Sequence, residues 1–324
     1  MKEVEVSAPG KLMLFGEHAV VYNRPCLVTA VDQRMMVAME ISARQVIEIE
    51  APGVGIRNYR RKVKDLGKGT NIPKGVRFLE RAIKNFFDQY QVESGLKIKT
   101  KSEFSSQFGF GSSSAVTAAT LEGLSILLGI NLSKKELFNL AYKTVLDLQG
   151  VGSGFDLAAA IWGGTVYFVT GGKRIIPLKK MGKLPLVIGY SGVKAETPTL
   201  VRQVESLYLR YPRLVEGIFD HISLLTREAK KALVEGNFKK GGELMNLNQG
   251  LLESLGVNTK KLAALIFAAR EAGAYGAKLS GAGGGDCMIA LVNKETKPAV
   301  ERAIGKSKGL VIKVQTGAEG VRRE

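Results

Sequence analysis

The stretch Gly109-Phe110-Gly111-Ser112-Ser113-Ser114-Ala115 (GFGSSSA) stands directly before a run of small residues and leucines whose spacing predicts a helix over Ser113–Leu128. Glycines let a backbone approach an anion closely, and the free amides of a helix start, with the positive end of its dipole, point at that anion. The serines add hydroxyls that can bond a phosphate or reach a cation. An ordinary glycine loop with a serine cap carries the same letters, so both readings stand at this point. A Walker loop is excluded, because Gly-x-x-x-x-Gly-Lys-Ser/Thr is absent.

Upstream, Glu3–Ala8 alternates as a strand, and Arg34–Ile41 and Val46–Ile49 are further strand candidates. Arg57–Lys68 is basic and without pattern, which predicts a surface loop. Val76–Tyr90 has apolar residues at helical spacing, and Leu96–Lys99 alternates as a strand. Downstream, Ser133-Lys134-Lys135-Glu136 forms a capping box that opens a helix through about Leu146. Strands are expected at Thr165–Val169, Leu186–Tyr190, Met288–Val292 and Leu310–Val314. Between residues 198 and 273 lie three helical patterns, among them Leu214–Leu233 and Thr259–Ala272, the latter stopped by Gly273. A last helix begins near Lys297. Strands and helices in mixed order favour an α+β fold over a doubly wound sheet. With no linker or repeat in the sequence, a domain boundary belongs near residues 170–195.

Two other glycine-rich stretches accompany the first. Ser280-Gly281-Ala282-Gly283-Gly284-Gly285-Asp286 is costly in chain entropy unless the backbone turns sharply or touches something. Gly150-Val151-Gly152-Ser153-Gly154-Phe155-Asp156 leads into Leu157-Ala158-Ala159-Ala160. Asp156 at that helix start reads first as a cap; beside a phosphate site it would orient or deprotonate an attacking hydroxyl. Near the start of the chain, Pro9-Gly10-Lys11 and Gly16-Glu17-His18 bracket a short apolar strand. Of the two histidines, His221 on a helical pattern reads as structural, whereas His18 beside a carboxylate and a glycine is a site candidate.

The chain has 324 residues, 45% of them hydrophobic, enough for a large core and about two domains at roughly 100–200 residues each. Its longest uncharged apolar stretch, Leu157–Thr170, is broken by Gly163-Gly164 and is shorter than the roughly 20 residues of a membrane span. Met1-Lys2-Glu3-Val4-Glu5 lacks the apolar core of a signal peptide, so a cytoplasmic protein is expected. Cys26 and Cys287 make neither a disulfide framework nor a four-ligand zinc site. The 47 Lys+Arg against 30 Asp+Glu leave a net charge of +17, which suits anionic partners or a lysine-rich solvated surface equally well. No zinc-finger spacing or aromatic RNA-binding motif supports nucleic acid, and membrane partners are not expected.

The ordered set Pro9-Gly10-Lys11 to Gly16-Glu17-His18, Gly109 to Ser113, Ser153 to Asp156 and Ser280 to Gly285 resembles the GHMP small-molecule kinases, over about Val4 to Gly320. Within that family, Ala8–Tyr22 and Glu243–Leu252 look most like the mevalonate-phosphorylating members of archaeal type. The resemblance implies two lobes, a ribosomal-protein-S5-like N-terminal one (1–180) and a ferredoxin-like C-terminal one (181–324), with the active site between them. It implies ATP and Mg²⁺ as cofactors, with Gly109, Phe110, Gly111, Ser112, Ser113 and Ser114 around the ATP phosphates and Ser113 on the metal. Asp156 would act on the substrate hydroxyl, and Lys11 would sit near both the hydroxyl and the phosphoryl group. Glu17, His18 and Ser153 would line the acceptor pocket, and Ser280, Gly281, Ala282 and Gly283 would close over it. A small-molecule substrate is the partner so implied, with a homodimer allowed, and the reaction implied is phosphorylation of mevalonate for isoprenoid precursors.

This chain departs from that pattern in places. Where those members carry a metal-binding glutamate eleven residues before the aspartate, this chain has Val145, and Asp147 nearby would point to another side of the helix. Phe108–Ser113, Gly152–Asp156 and Gly285-Asp286-Cys287 resemble instead the members that phosphorylate 5-phosphomevalonate, which is the alternative acceptor. Loss of a metal ligand also raises a catalytically silent ATP- or mevalonate-binding regulator as a remote alternative.

Overall fold

The computed structural model describes residues 3–69 and 71–324; Met1 and Lys2, part of the charge-alternating start, lie outside them. The strands are β1 (Glu3–Phe15), β2 (Pro25–Ser42), β3 (Val46–Ala51), β4 (Ile56–Lys62), β5 (Gly95–Ser102), β6 (Thr165–Val169), β7 (Arg174–Pro177), β8 (Leu186–Tyr190), β9 (Gly276–Ser280), β10 (Cys287–Leu291), β11 (Leu310–Ile312) and β12 (Arg322–Arg323). The helices are α1 (Arg77–Tyr90), α2 (Ser112–Leu128), α3 (Lys134–Gln149), α4 (Phe155–Trp162), α5 (Thr197–Arg210), α6 (Pro212–Val234), α7 (Phe238–Ser254), α8 (Lys260–Glu271) and α9 (Lys297–Lys306).

Two sheets organise the chain. The first runs β12-β1-β2-β5-β3-β4, with β6 on the other half of β2 and β7 beyond it. The second runs β11-β8-β10-β9, all antiparallel. In chain order this second unit is strand, helices, strand, strand, helix, strand, which is the split βαβ arrangement of a ferredoxin-like lobe. Residues 315–324 return to the first sheet, where Thr316 bridges Val31 and β12 pairs with β1.

Helix α2 lies close on β1 and β2 because its inner face is small. Ala115, Ala118 and Ala119 are buried, and a Cβ on Gly123 would sit 3.0 Å from the sulfur of Met39 on β2. Helix α1 buries Leu79, Ile83, Phe86 and Phe87, the spacing that predicts it. The capping box of α3 is complete: the Glu136 amide donates to Ser133 Oγ and the Ser133 amide donates to Glu136 Oε2.

Three local expectations need correction. Arg57–Lys68 is a loop only from Val63 onward, since Arg57–Lys62 belongs to β4, which pairs antiparallel with β3 and carries its arginines on an edge strand where both faces hold polar residues. Residues 198–273 hold four helices rather than three, because Tyr211-Pro212 separates α5 from α6. The strand β9 went unpredicted: Gly276, Ala277 and a buried Lys278 break the apolar pattern although all five residues are buried. Among the described residues, no helix is long and apolar enough to cross a membrane.

Candidate active site

Lys11 lies just past an irregularity in β1, where the pairing with β2 shifts register between Pro9 and Gly10. Such shifts re-aim the side chains that follow. The glycine loop docks on this point. The Lys11 amide donates to the Phe110 carbonyl at 3.0 Å, and a Cβ on Gly10 would press within 3.3 Å of that oxygen. Lys11 Nζ donates to the Gly109 carbonyl at 2.9 Å and stands 3.1 Å from Asp156 Oδ1. Lys11 Nζ also lies over the Phe155 ring, 5.3 Å from its centroid.

Asp156 falls in the first turn of α4, but it is no cap. Gly154, at φ +91°, holds the N-cap position, and no side-chain bond caps the helix. The buried Oδ1 of Asp156 is in ion-pair range of Lys11 without an aligned hydrogen-bond partner among the described residues, so it keeps capacity for a ligand.

Gly111 caps α2 in the left-handed region at φ +76° and accepts from the Ser114 and Ala115 amides. The amides of Gly109, Phe110, Gly111, Ser112 and Ser113 have no partner among the described residues, and neither do the hydroxyls of Ser112, Ser113 and Ser114. A concave run of unpaired donors at a helix start is an anion cradle. Beside it opens a cavity of about 480 Å³, walled by Val54, Leu79, Phe104, Gln107, Ser112 and Val116. Sequence reasoning singled out only Ser112 among these walls, because the others come from separate segments around Val54, Leu79 and Phe104–Gln107 that only the fold brings together. Gly75 lets this wall close, since a Cβ there would strike Val54.

The acceptor-side candidates are placed as follows. His18 is buried at φ +58°, with Nε2 2.9 Å from the Ala282 carbonyl, and burial pushes its imidazole below the usual histidine range. Glu17 is not open to a ligand. Its carboxylate accepts from Lys278 Nζ in an ion pair with both side chains 0% exposed, and from Asn248 Nδ2 at 3.3 Å. Ser280 is also committed, since its hydroxyl donates to the Met13 carbonyl at 2.9 Å and accepts from the Met13 amide at 3.0 Å. Gly281 has open space around it, whereas a Cβ on Gly283 would meet the Val257 carbonyl at 2.2 Å. Ser153 is buried, beside Gly154 at the head of α4. These contacts draw the Ser280–Gly283 turn onto the strand bearing Lys11.

Asp286 was singled out only as a departure in pattern, yet it touches the cradle. Its Oδ2 lies where a Cβ on Gly109 would be, and its Oδ1 accepts from the Ala195 amide at 2.9 Å. Burial raises its carboxyl above the usual range, against the pull of Lys194 and Lys11. Val145 is buried, and Asp147 is held by Asn85 and Lys143 at 2.9 and 2.8 Å. Among the described residues no group of three or more His, Cys, Asp or Glu gathers to cage a metal. Magnesium keeps waters and phosphate oxygens rather than demanding an all-protein cage. The Ser113 hydroxyl, without a partner among the described residues, is a hard oxygen donor of the class it takes.

Comparison with known proteins gives two family matches: "GHMP kinases N terminal domain" over residues 77–164 and "GHMP kinases C terminal" over residues 229–309. The mevalonate kinase of Pyrococcus abyssi is 37% identical over 99% of this chain and 98% of its own length. That of Pyrococcus horikoshii is 39% identical over 100% of this chain and 98% of its own. The crystal structure of Methanococcus jannaschii mevalonate kinase superposes with a TM-score of 0.83 at 25% identity, covering 98% of this chain and 99% of that one.

Proposed function

The chain belongs to the GHMP kinase family, and from that premise we infer that it transfers the γ-phosphoryl group of ATP to the hydroxyl of mevalonate, forming 5-phosphomevalonate. The observation that carries the mechanism is the meeting of Lys11, Asp156 and the unpaired amides of Gly109–Ser113 at one point. Phosphoryl transfer needs positioning and charge neutralisation more than covalent help from the protein. The cradle amides and the serine hydroxyls hold the ATP phosphates, and the 480 Å³ cavity beside Ser112 takes the nucleoside. Asp156, its carboxylate paired with Lys11, orients the acceptor hydroxyl and takes its proton. Lys11, already on the Gly109 carbonyl, offers its remaining proton-donating capacity to the transferred group.

When bound, Mg²⁺ would supply charge neutralisation at the phosphates, with Ser113 as the residue that would hold it. His18 walls the acceptor pocket as a neutral imidazole, and Glu17 holds that wall through Lys278 instead of touching substrate. In this reading residues 1–180 carry the nucleotide and Asp156, residues 181–324 bring the closing glycine turn, and the enzyme works in the cytoplasm.

A coupled ADP-release assay with ATP and Mg²⁺, run separately on mevalonate and 5-phosphomevalonate, tests the acceptor. Turnover on mevalonate is expected. Turnover on 5-phosphomevalonate alone would transfer the assignment to the acceptor that Asp286 suggested, and silence on both with ATP bound would leave a regulator.

A further inference from the structure

Glu80 is 0% exposed on the buried face of α1, which also carries Leu79 and Ile83. A carboxylate out of water is tolerable only where its oxygens find donors. Here both donors come from the chain before the helix. The Tyr59 hydroxyl of β4 donates to Oε2, and the Gly67 amide donates to Oε1 at 2.9 Å. Arg61 adds charge from the same strand, with Nε 3.8 Å from Oε1 and donating to the Asp65 carbonyl at 3.0 Å. Burial, with Glu80 alongside, pushes the Tyr59 hydroxyl above the usual phenol range, so it stays a donor.

The element so anchored is the β3–β4 hairpin, and β4 is the outermost strand of the first sheet. Its tip lies at the surface, with Val54 45% exposed. Even so, Ala51, Gly53 and Val54 of that tip line the 480 Å³ cavity, and so does Leu79, the chain neighbour of Glu80. A Cβ on Gly75 would come within 2.6 Å of Val54, so the tip rests on the chain entering α1. An apolar contact of that kind can slide, whereas hydrogen bonds to a fixed carboxylate set one position. Glu80 is therefore a polar tie between two walls of one cavity.

We propose that Glu80 is a positioning residue for the nucleotide: by holding β4 and the Gly67 turn on α1, it sets the width of the cavity that takes the nucleoside of ATP. This role rests on the reading of that cavity as the nucleoside site. The partners of Glu80 include neither Lys11, Asp156 nor a residue of the Gly109–Ser114 cradle, so the phosphates and the acceptor keep their places when the wall loosens. Contacts to the nucleoside are the same before and during transfer, so weakening them raises KM and spares kcat.

Steady-state kinetics with ATP and mevalonate test this, together with calorimetric titration of a non-hydrolysable ATP analogue and of inorganic triphosphate. Glu80→Gln should raise KM for ATP about tenfold and weaken the analogue as much, with kcat and KM for mevalonate unchanged. Tyr59→Phe, which keeps the ring at a half-buried position, should do the same by about threefold. Triphosphate, which needs only the cradle, should bind both variants as it binds the unaltered enzyme. A merely structural role would lower the melting temperature and leave KM for ATP where it was, and that result overturns the proposal. Equal weakening of triphosphate and of the analogue in Tyr59→Phe would overturn it too. Val116→Trp fills the cavity from α2 and should block the analogue but not triphosphate. Unhindered binding of the analogue to that variant would remove the nucleoside reading itself, and the role of Glu80 with it.

Discussion

Asp156 carries the acid–base part of the mechanism on one carboxylate. Its substitution by asparagine keeps the shape and leaves Lys11 bonded to Gly109. The expected result is a fall in kcat of about 10²–10⁴, the usual range for a lost general base, with the melting temperature nearly unchanged. Near-normal turnover of Asp156→Asn in the ADP-release assay would remove the base from the mechanism. His18 makes a different prediction, about pH. Burial lowers its native pKa below the ordinary 6.5, with Glu17 pulling the other way more weakly. In the window just below 6.5 the unfolded chain therefore binds a proton that the native chain does not. Its contribution to stability is whole above 6.5 and falls as the pH drops through that window. Urea unfolding at pH 7.5 and 5.5 should show a larger loss for the native sequence than for His18→Gln, and equal losses would place His18 in contact with water.

The glycine loop works as an element through two devices that can be separated. Gly111 is in the left-handed region at φ +76°, and a Cβ there would sit 3.2 Å from Lys11 Cγ. Gly129, at the other end of α2, is also left-handed at φ +70° but has nothing within 4 Å. Alanine at either position should lose about 1–2 kcal/mol to backbone strain. Only Gly111→Ala should also displace Lys11 and lower kcat/KM for ATP. Equal kinetics for the two variants would mean that the loop does not position Lys11. Elements of this kind differ in how openly the sequence announces them. The runs Thr165–Val169 and Leu186–Tyr190 are β-branched, aromatic or aliphatic at nearly every position, and the strands begin and end where the runs do. The box at Ser133 and Glu136 marks the start of α3 because both halves of its hydrogen bonding are local. Strand β4 gives no such signal, since as an edge strand it buries little and alternates little. Strand β9 hides because its central residue is a lysine, and only a partner from another part of the chain makes that lysine tolerable.

At the scale of the whole molecule, the same contrast explains what was legible in the site. The glycine loops, Lys11 and Asp156 are recognisable as motifs, and the structure brings them to one place. That Glu17 and Ser280 are already committed to partners is a property of two lobes meeting, which no local pattern encodes. The pair Glu17–Lys278 joins the strand end of the first sheet to β9 of the second, wholly out of water. Burial pushes the Lys278 ammonium below the usual lysine range, and Glu17 opposes that push. Each charge is tolerable only because of the other. Lys278→Met alone, or Glu17→Gln alone, should therefore cost about 3–5 kcal/mol, because an uncompensated polar or charged group remains in the interface. The double variant should recover most of that loss, since two neutral side chains of similar size need no mutual compensation. Urea unfolding of the four proteins gives the cycle. Additive losses would mean that the two side chains act independently and that the lobes are held by their apolar contacts alone. A strong coupling, with kcat recovered in the double variant, would make the pair a brace that sets how the glycine turn at Ser280 meets the strand of Lys11.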